Sequence, residues 1–131
     1  MIYKVLVLFF VVFLFSSCNK ELDELCTAEF RMVTVQITDD GTVVLPDEYT
    51  VTSELTNEVI LTHNNSFNAY FTDDFVIFTD SEMQHTNEEG RLFRVKASKN
   101  NVQIMDEVYD IAHDNCHVIL NSGNTAIELN P

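Results

Sequence analysis

Glycine, tryptophan and positive charge are all scarce in this sequence. Its three glycines are Gly41, Gly90 and Gly123. No two lie close together, so the phosphate-cradling loops G-x-G-x-x-G and G-x-x-x-x-G-K-[ST] are excluded. The nucleophile elbow G-x-S-x-G is absent as well. Seven Lys+Arg stand against 21 Asp+Glu, a formal net charge of −14. Such a chain repels nucleic-acid phosphates rather than neutralising them, so no nucleic-acid partner is expected. Adsorption on anionic lipid is disfavoured for the same reason. Tryptophan is missing altogether, which weakens a sugar-stacking role for the tyrosines Tyr49, Tyr70 and Tyr109. The apolar run Val5–Phe15 has eleven residues. A helix needs roughly 20 residues to cross a ~30 Å hydrocarbon core.

That run instead fits an address. Lys4 precedes it and the small residues Ser16 and Ser17 follow, the pattern of a secretory signal peptide. Leu14-Phe15-Ser16-Ser17-Cys18 resembles the lipobox of bacterial lipoproteins, with Phe15 where that pattern prefers Leu. The resemblance implies that the Cys18 thiol receives a diacylglycerol and that the chain is cut before it. The new amino group then takes a further acyl chain such as palmitate. Residues 1–17 are accordingly expected to be a cleaved signal peptide. Two or three acyl chains, at ~0.8 kcal/mol per buried CH₂, make a firm anchor. Behind the cysteine, Lys20, Glu21, Asp23 and Glu24 resemble the export signal of Bacteroidota surface lipoproteins. That resemblance implies an outer-membrane, lipid-anchored protein, displayed on the cell surface rather than the periplasmic face.

Cutting before Cys18 removes 17 of the 131 residues and leaves 114, with a side-chain charge of −15. A chain of that size buries one modest core, with ~65% of its unfolded surface removed from water. Small secreted domains often add a staple. With Cys18 lipidated, Cys26 and Cys116 remain, and an oxidising compartment favours a disulfide between them. Closing a loop of about 90 residues stabilises by ~4–5 kcal/mol in the chain-entropy model. Residues 18–25 read as a polar tether and residues 26–131 as the folded domain.

The domain reads as strands. Val33, Val35 and Ile37 alternate with Thr34 and Gln36. Asp40-Gly41 is a tight hairpin turn into Thr42–Leu45. Tyr49, Val51 and Leu55 alternate with Thr50, Thr52 and Glu54. Val59–Thr62 and Phe67–Phe71 follow. Phe75–Phe78 is an apolar run expected to be covered on both sides. Residues 80–90 carry one helical turn, with Asp80 or Ser81 as its cap. Arg91–Ser98, Val102–Ala112, Cys116–Asn121 and Thr125–Leu129 complete the chain. Short strands with turn signals every 8–12 residues call for an all-β, antiparallel β-sandwich of about seven to nine strands.

Several stretches are similar to a group of small Bacteroidota lipoproteins. They are Cys26-Thr27-Ala28-Glu29-Phe30, Asp39-Asp40-Gly41, Lys99-Asn100-Asn101, Asp106-Glu107-Val108-Tyr109, His113 to Val118, and Ser122-Gly123. The resemblance implies a transthyretin-like or carboxypeptidase-regulatory-like (Ig-like) sandwich. It implies a location and no activity.

His113, Asp114, Cys116 and His117 form the densest cluster of potential metal ligands. On a strand, the two histidines stand about 13 Å apart, and a disulfide at Cys116 removes the thiolate. The expectation is a turn followed by a strand, with His117 facing solvent and no metal. The acidic pairs Asp39/Asp40, Asp73/Asp74, Glu88/Glu89 and Asp106/Glu107 contain no Ca²⁺-loop motif and read as solvated turns. No local pattern supports a Ser-His-Asp or Cys-His triad, nor a two-carboxylate glycosidase. No catalytic residue and no cofactor are expected. The resulting expectation is a lipid-anchored, non-enzymatic binding or structural module whose partner is an envelope or surface protein. The rival is a small acidic inhibitor or immunity lipoprotein that meets a basic enzyme or toxin by charge complementarity. A metal-handling role through His113 and His117 is the third possibility.

Overall fold

The computed structural model describes residues 26–64 and 73–130. Among them are nine strands: β1 (Met32–Asp39), β2 (Thr42–Val43), β3 (Glu48–Ser53), β4 (Val59–Asn64), β5 (Phe75–Thr79), β6 (Arg91–Lys99), β7 (Val102–His113), β8 (Val118–Ser122) and β9 (Ala126–Glu128). The larger sheet runs β4-β3-β6-β7-β8 with every neighbour antiparallel. The smaller is built around β1, which pairs antiparallel with β2 and β5. The two sheets pack together as an all-β sandwich. The strand expected over Phe67–Phe71 and residues 1–25 lie outside the described residues.

One pairing departs from a wholly antiparallel arrangement. β9 runs parallel to β1, with Gln36 opposite Ala126 and Thr38 opposite Glu128. The chain passes from β8 in the larger sheet to β9 in the smaller one. A strand that changes sheets is not bound to the antiparallel pairing that a hairpin imposes.

Period-2 alternation builds the core. Val33, Val35 and Ile37 of β1 are buried, and the residues between them are half-buried. Tyr49 and Val51 of β3, Phe93 and Val95 of β6, and Met105, Tyr109 and Ile111 of β7 face them from the larger sheet. Phe78 and Phe93 pack with ring centroids 4.8 Å apart. Each such side chain stabilises by roughly 1.5–3 kcal/mol on burial. In β5 the pairing skips a residue: Phe78 opposes Val33 and Val76 opposes Thr34. The bulge turns Ile77 and Phe78 inward together. Val76 is only half-buried, so β5 is not covered evenly on both sides.

Turn chemistry sets the hairpins. Asp40 and Gly41 both have positive φ, 48° and 73°, as do Asn100 and Asn101, 52° and 62°. Two-residue loops of that shape match the twist of the strands they join. The strand expected to reach Leu55 ends at Ser53. Ser53 Oγ accepts from the Thr56 N–H and Ser53 O from the Asn57 N–H. The chain turns there, and Leu55 is left 75% exposed. The helical turn is a 3-10 helix, Asp80–His85, capped by Thr79 rather than by Asp80 or Ser81. Glu82 closes a capping box by accepting from the Thr79 N–H at 2.9 Å.

Two features lock the C-terminal part. Tyr109 is fully buried and its hydroxyl donates to Asn124 O at 2.6 Å. Gly123, at φ +140°, lies against that ring: an added Cβ would meet Tyr109 Cδ1 at 2.3 Å. Cys26 and Cys116 are joined in a disulfide with a Cα–Cα distance of 5.2 Å, across 90 residues of chain.

Gly123→Ala should cost about 2–3 kcal/mol through overpacking and backbone strain, read as a lower midpoint in urea unfolding. Reducing the disulfide should lower stability by about 2–5 kcal/mol. Thiols that alkylate quantitatively in the unreduced mature protein would contradict the linkage.

Candidate functional site

The structure draws Thr27, Asp80 and His117 together around the disulfide. Asp80 follows β5 and its carboxylate is nearly enclosed. Oδ1 accepts from the Val118 N–H at 2.8 Å, and Oδ2 accepts from the Arg31 N–H at 2.9 Å and from His117 Nδ1 at 2.8 Å. With its Nδ1 proton directed at the carboxylate, His117 presents Nε2 to the Thr27 hydroxyl at 3.0 Å. Burial pushes the Asp80 carboxyl up. The Arg31 N–H, His117 and the Val118 N–H outweigh that and hold it below its ordinary value of 3.8. Asp114 is lowered too, chiefly by the His117 and Cys116 N–H groups it accepts.

His117 is therefore buried, with 6% exposure, and not solvent-facing as its place on a strand implied. The turn at Asp114, which accepts from the His117 N–H, brings the residue to the start of β8. The partner that buries its ring, Asp80, lies 37 residues away. That distance hides the partnership from local pattern. The same order of hydroxyl, imidazole and carboxylate activates nucleophiles elsewhere. Here the carboxylate also ties two backbone N–H groups, from the lead-in to β1 and from β8, and Thr27 neighbours the staple. The arrangement works as a clamp on the N-terminal segment.

The other sequence candidates are dispersed. His113 Nδ1 accepts from the Asn115 N–H at 3.1 Å. No group of three or more His, Cys, Asp or Glu suited to a metal occurs among the described residues. Asp74 accepts from Thr34 and Gln36, Asp106 pairs with Arg94 at 2.8 Å, and Glu88 accepts from Asn115. Tyr49 and Tyr109 are core residues, which removes both from any sugar-stacking surface. Tyr70 lies outside the described residues, as do Cys18, Lys20, Glu21, Asp23 and Glu24.

Strand alternation did not reveal an apolar cleft of about 560 Å³. It lies where β4 and β5, end strands of their sheets, leave the sandwich open. Phe30 and Met32, Leu61 of β4 and Val76 of β5 supply apolar walls, and Tyr49 lines it from β3. Tyr49 is fixed in place: its ring meets Phe75 at 5.0 Å and His63 edge-on at 5.3 Å. Its hydroxyl donates to Val76 O. Burial, and then the charge of Glu82, push that hydroxyl up to about 12. Glu82, Ser81 and Thr79 form the polar side of the cleft. Among the described residues no Lys or Arg lines it.

No family model, curated protein or solved structure matches the chain.

The depressed Asp80 carboxyl contributes stability that is complete above about pH 4 and is lost as pH falls below that, because the unfolded chain takes up the proton first. Asp80→Asn should cost about 2 kcal/mol at pH 7. Its deficit against the parent protein should shrink on acidification to pH 2–3. Denaturant unfolding across pH 2–7 measures both, and a constant deficit over that range would rule out the charged clamp.

Proposed function

We propose that this protein is a lipid-anchored, non-enzymatic binding module of the outer membrane, displayed at the cell surface, with an envelope or surface protein as its partner. The observation that carries the binding role is the apolar cleft of about 560 Å³ at the margin of the sandwich. Sites that hold partners and ligands are commonly concavities of roughly 300–1,000 Å³ with apolar walls and a few placed polar groups. The anchor reading is supported by Lys4, the eleven-residue apolar run and Leu14–Cys18, and the surface reading by Lys20, Glu21, Asp23 and Glu24. The Cys26–Cys116 disulfide fits an oxidising compartment. It would bind the end of the tether to the domain.

A second reading is an acidic inhibitor or immunity lipoprotein that captures a basic enzyme or toxin. The charge distribution favours it. All five described Lys and Arg already have acceptors: Arg31 on Glu29, Arg91 on His85 O, Arg94 on Glu54 and Asp106, Lys96 on Asp106, and Lys99 on Asp47 and Leu45 O. The remaining carboxylates leave an uncompensated negative surface, which speeds encounter with a cationic partner.

Cells fed labelled palmitate should label the parent protein and not Cys18→Ser. Protease added to intact cells should remove it. Label that survives Cys18→Ser defeats the anchor. Protection until the outer membrane is opened defeats surface display and puts the inhibitor reading first.

A further inference from the structure

The cleft has one ionic wall. Thr79 grips the Glu82 carboxylate through its N–H at 2.9 Å and its hydroxyl at 2.5 Å. The capping box therefore fixes this charge against the rotamer freedom that exposed glutamates keep, so little entropy remains to be lost on pairing. Glu82 stands close enough to Tyr49, a cleft-lining ring, for its charge to act on the hydroxyl. Among the described residues no lysine or arginine lines the cleft to answer it, and His63, the one imidazole there, meets the Tyr49 ring edge-on. The described cations are engaged elsewhere.

We infer that the cleft receives an apolar side chain of the partner protein with a cationic residue beside it, the side chain between Leu61, Met32 and Val76 and the cation against Glu82. The inference rests on the cleft being the binding site proposed above. Apolar walls favour an aromatic or branched side chain by area. An anionic neighbour meets Glu82 with like charge and meets a chain whose net charge is −14.

The test is chemical-shift mapping on the full chain with three capped dipeptides: acetyl-Phe-Lys-amide, acetyl-Phe-Gln-amide and acetyl-Phe-Glu-amide. All three should perturb Leu61 and Val76, and the lysine peptide should bind roughly fivefold tighter than the glutamate peptide, the scale of one partly exposed ion pair. Glu82→Gln, which keeps the capping box, should abolish that preference and leave the glutamine peptide unchanged. Equal binding of the three peptides overturns the charge inference and leaves the cleft reading intact. No perturbation by any of them overturns both. Free 2-phenylethylammonium is the control for source. If it binds more tightly than the lysine peptide, the occupant is a small amine, not a protein segment, and the inference fails.

Discussion

The Asp80 carboxylate is the contact on which the assembled sandwich depends most. It ends β5 in the smaller sheet and holds the N–H that opens β8 in the larger one. Its second oxygen holds the lead-in to β1, and through His117 it reaches Thr27. A carboxylate out of water needs such donors, since leaving one unpaired costs several kcal/mol. The donors come from the lead-in to β1, which also pairs with β5, and from the start of β8. The disulfide at Cys26–Cys116 closes the same corner covalently. Three segments distant in sequence, Cys26 to Arg31, Asp80 and Cys116 to Val118, are pinned together there.

That corner has a mechanical consequence for an anchored protein. In the proposed arrangement the tether enters the domain at Cys26. A pull on it would meet the disulfide and the Asp80 clamp before it met the ladder of β1. Hydrogen-bonded strand ends fray at little cost, whereas a covalent tie does not. The margin next to that corner is different in kind: Phe30, Met32, Thr79 and Ser81, which flank Arg31 and Asp80, line the cleft. There β4 and β5 are end strands, and Leu61 and Val76 from them line the cleft.

Much of the fold was legible locally. Val33, Val35 and Ile37, or Phe93, Val95 and Ala97, show period 2 because each strand has one face in the core and one toward water. Asp40-Gly41 and Asn100-Asn101 mark hairpins because they tolerate positive φ. Local pattern misled where a turn or a bulge broke the period. Leu55 follows the alternation of β3 but stands in the turn beyond it. Ile77 and Phe78 point the same way because β5 carries an extra residue. The direction of β9 depends on a change of sheet, which strand periodicity does not encode.

The sequence by itself determined the all-β architecture, the strand faces, the tight turns and the two cysteines available for a staple. These follow from side-chain polarity, β-branching and φ preference, which act within a few residues. The tertiary structure alone decided that His117 is buried on Asp80, that β9 lies parallel to β1, and that Glu82 stands beside an apolar cleft. Each depends on groups far apart in the chain. Their meeting is set by how two sheets pack, and packing is a property of the whole core rather than of any segment.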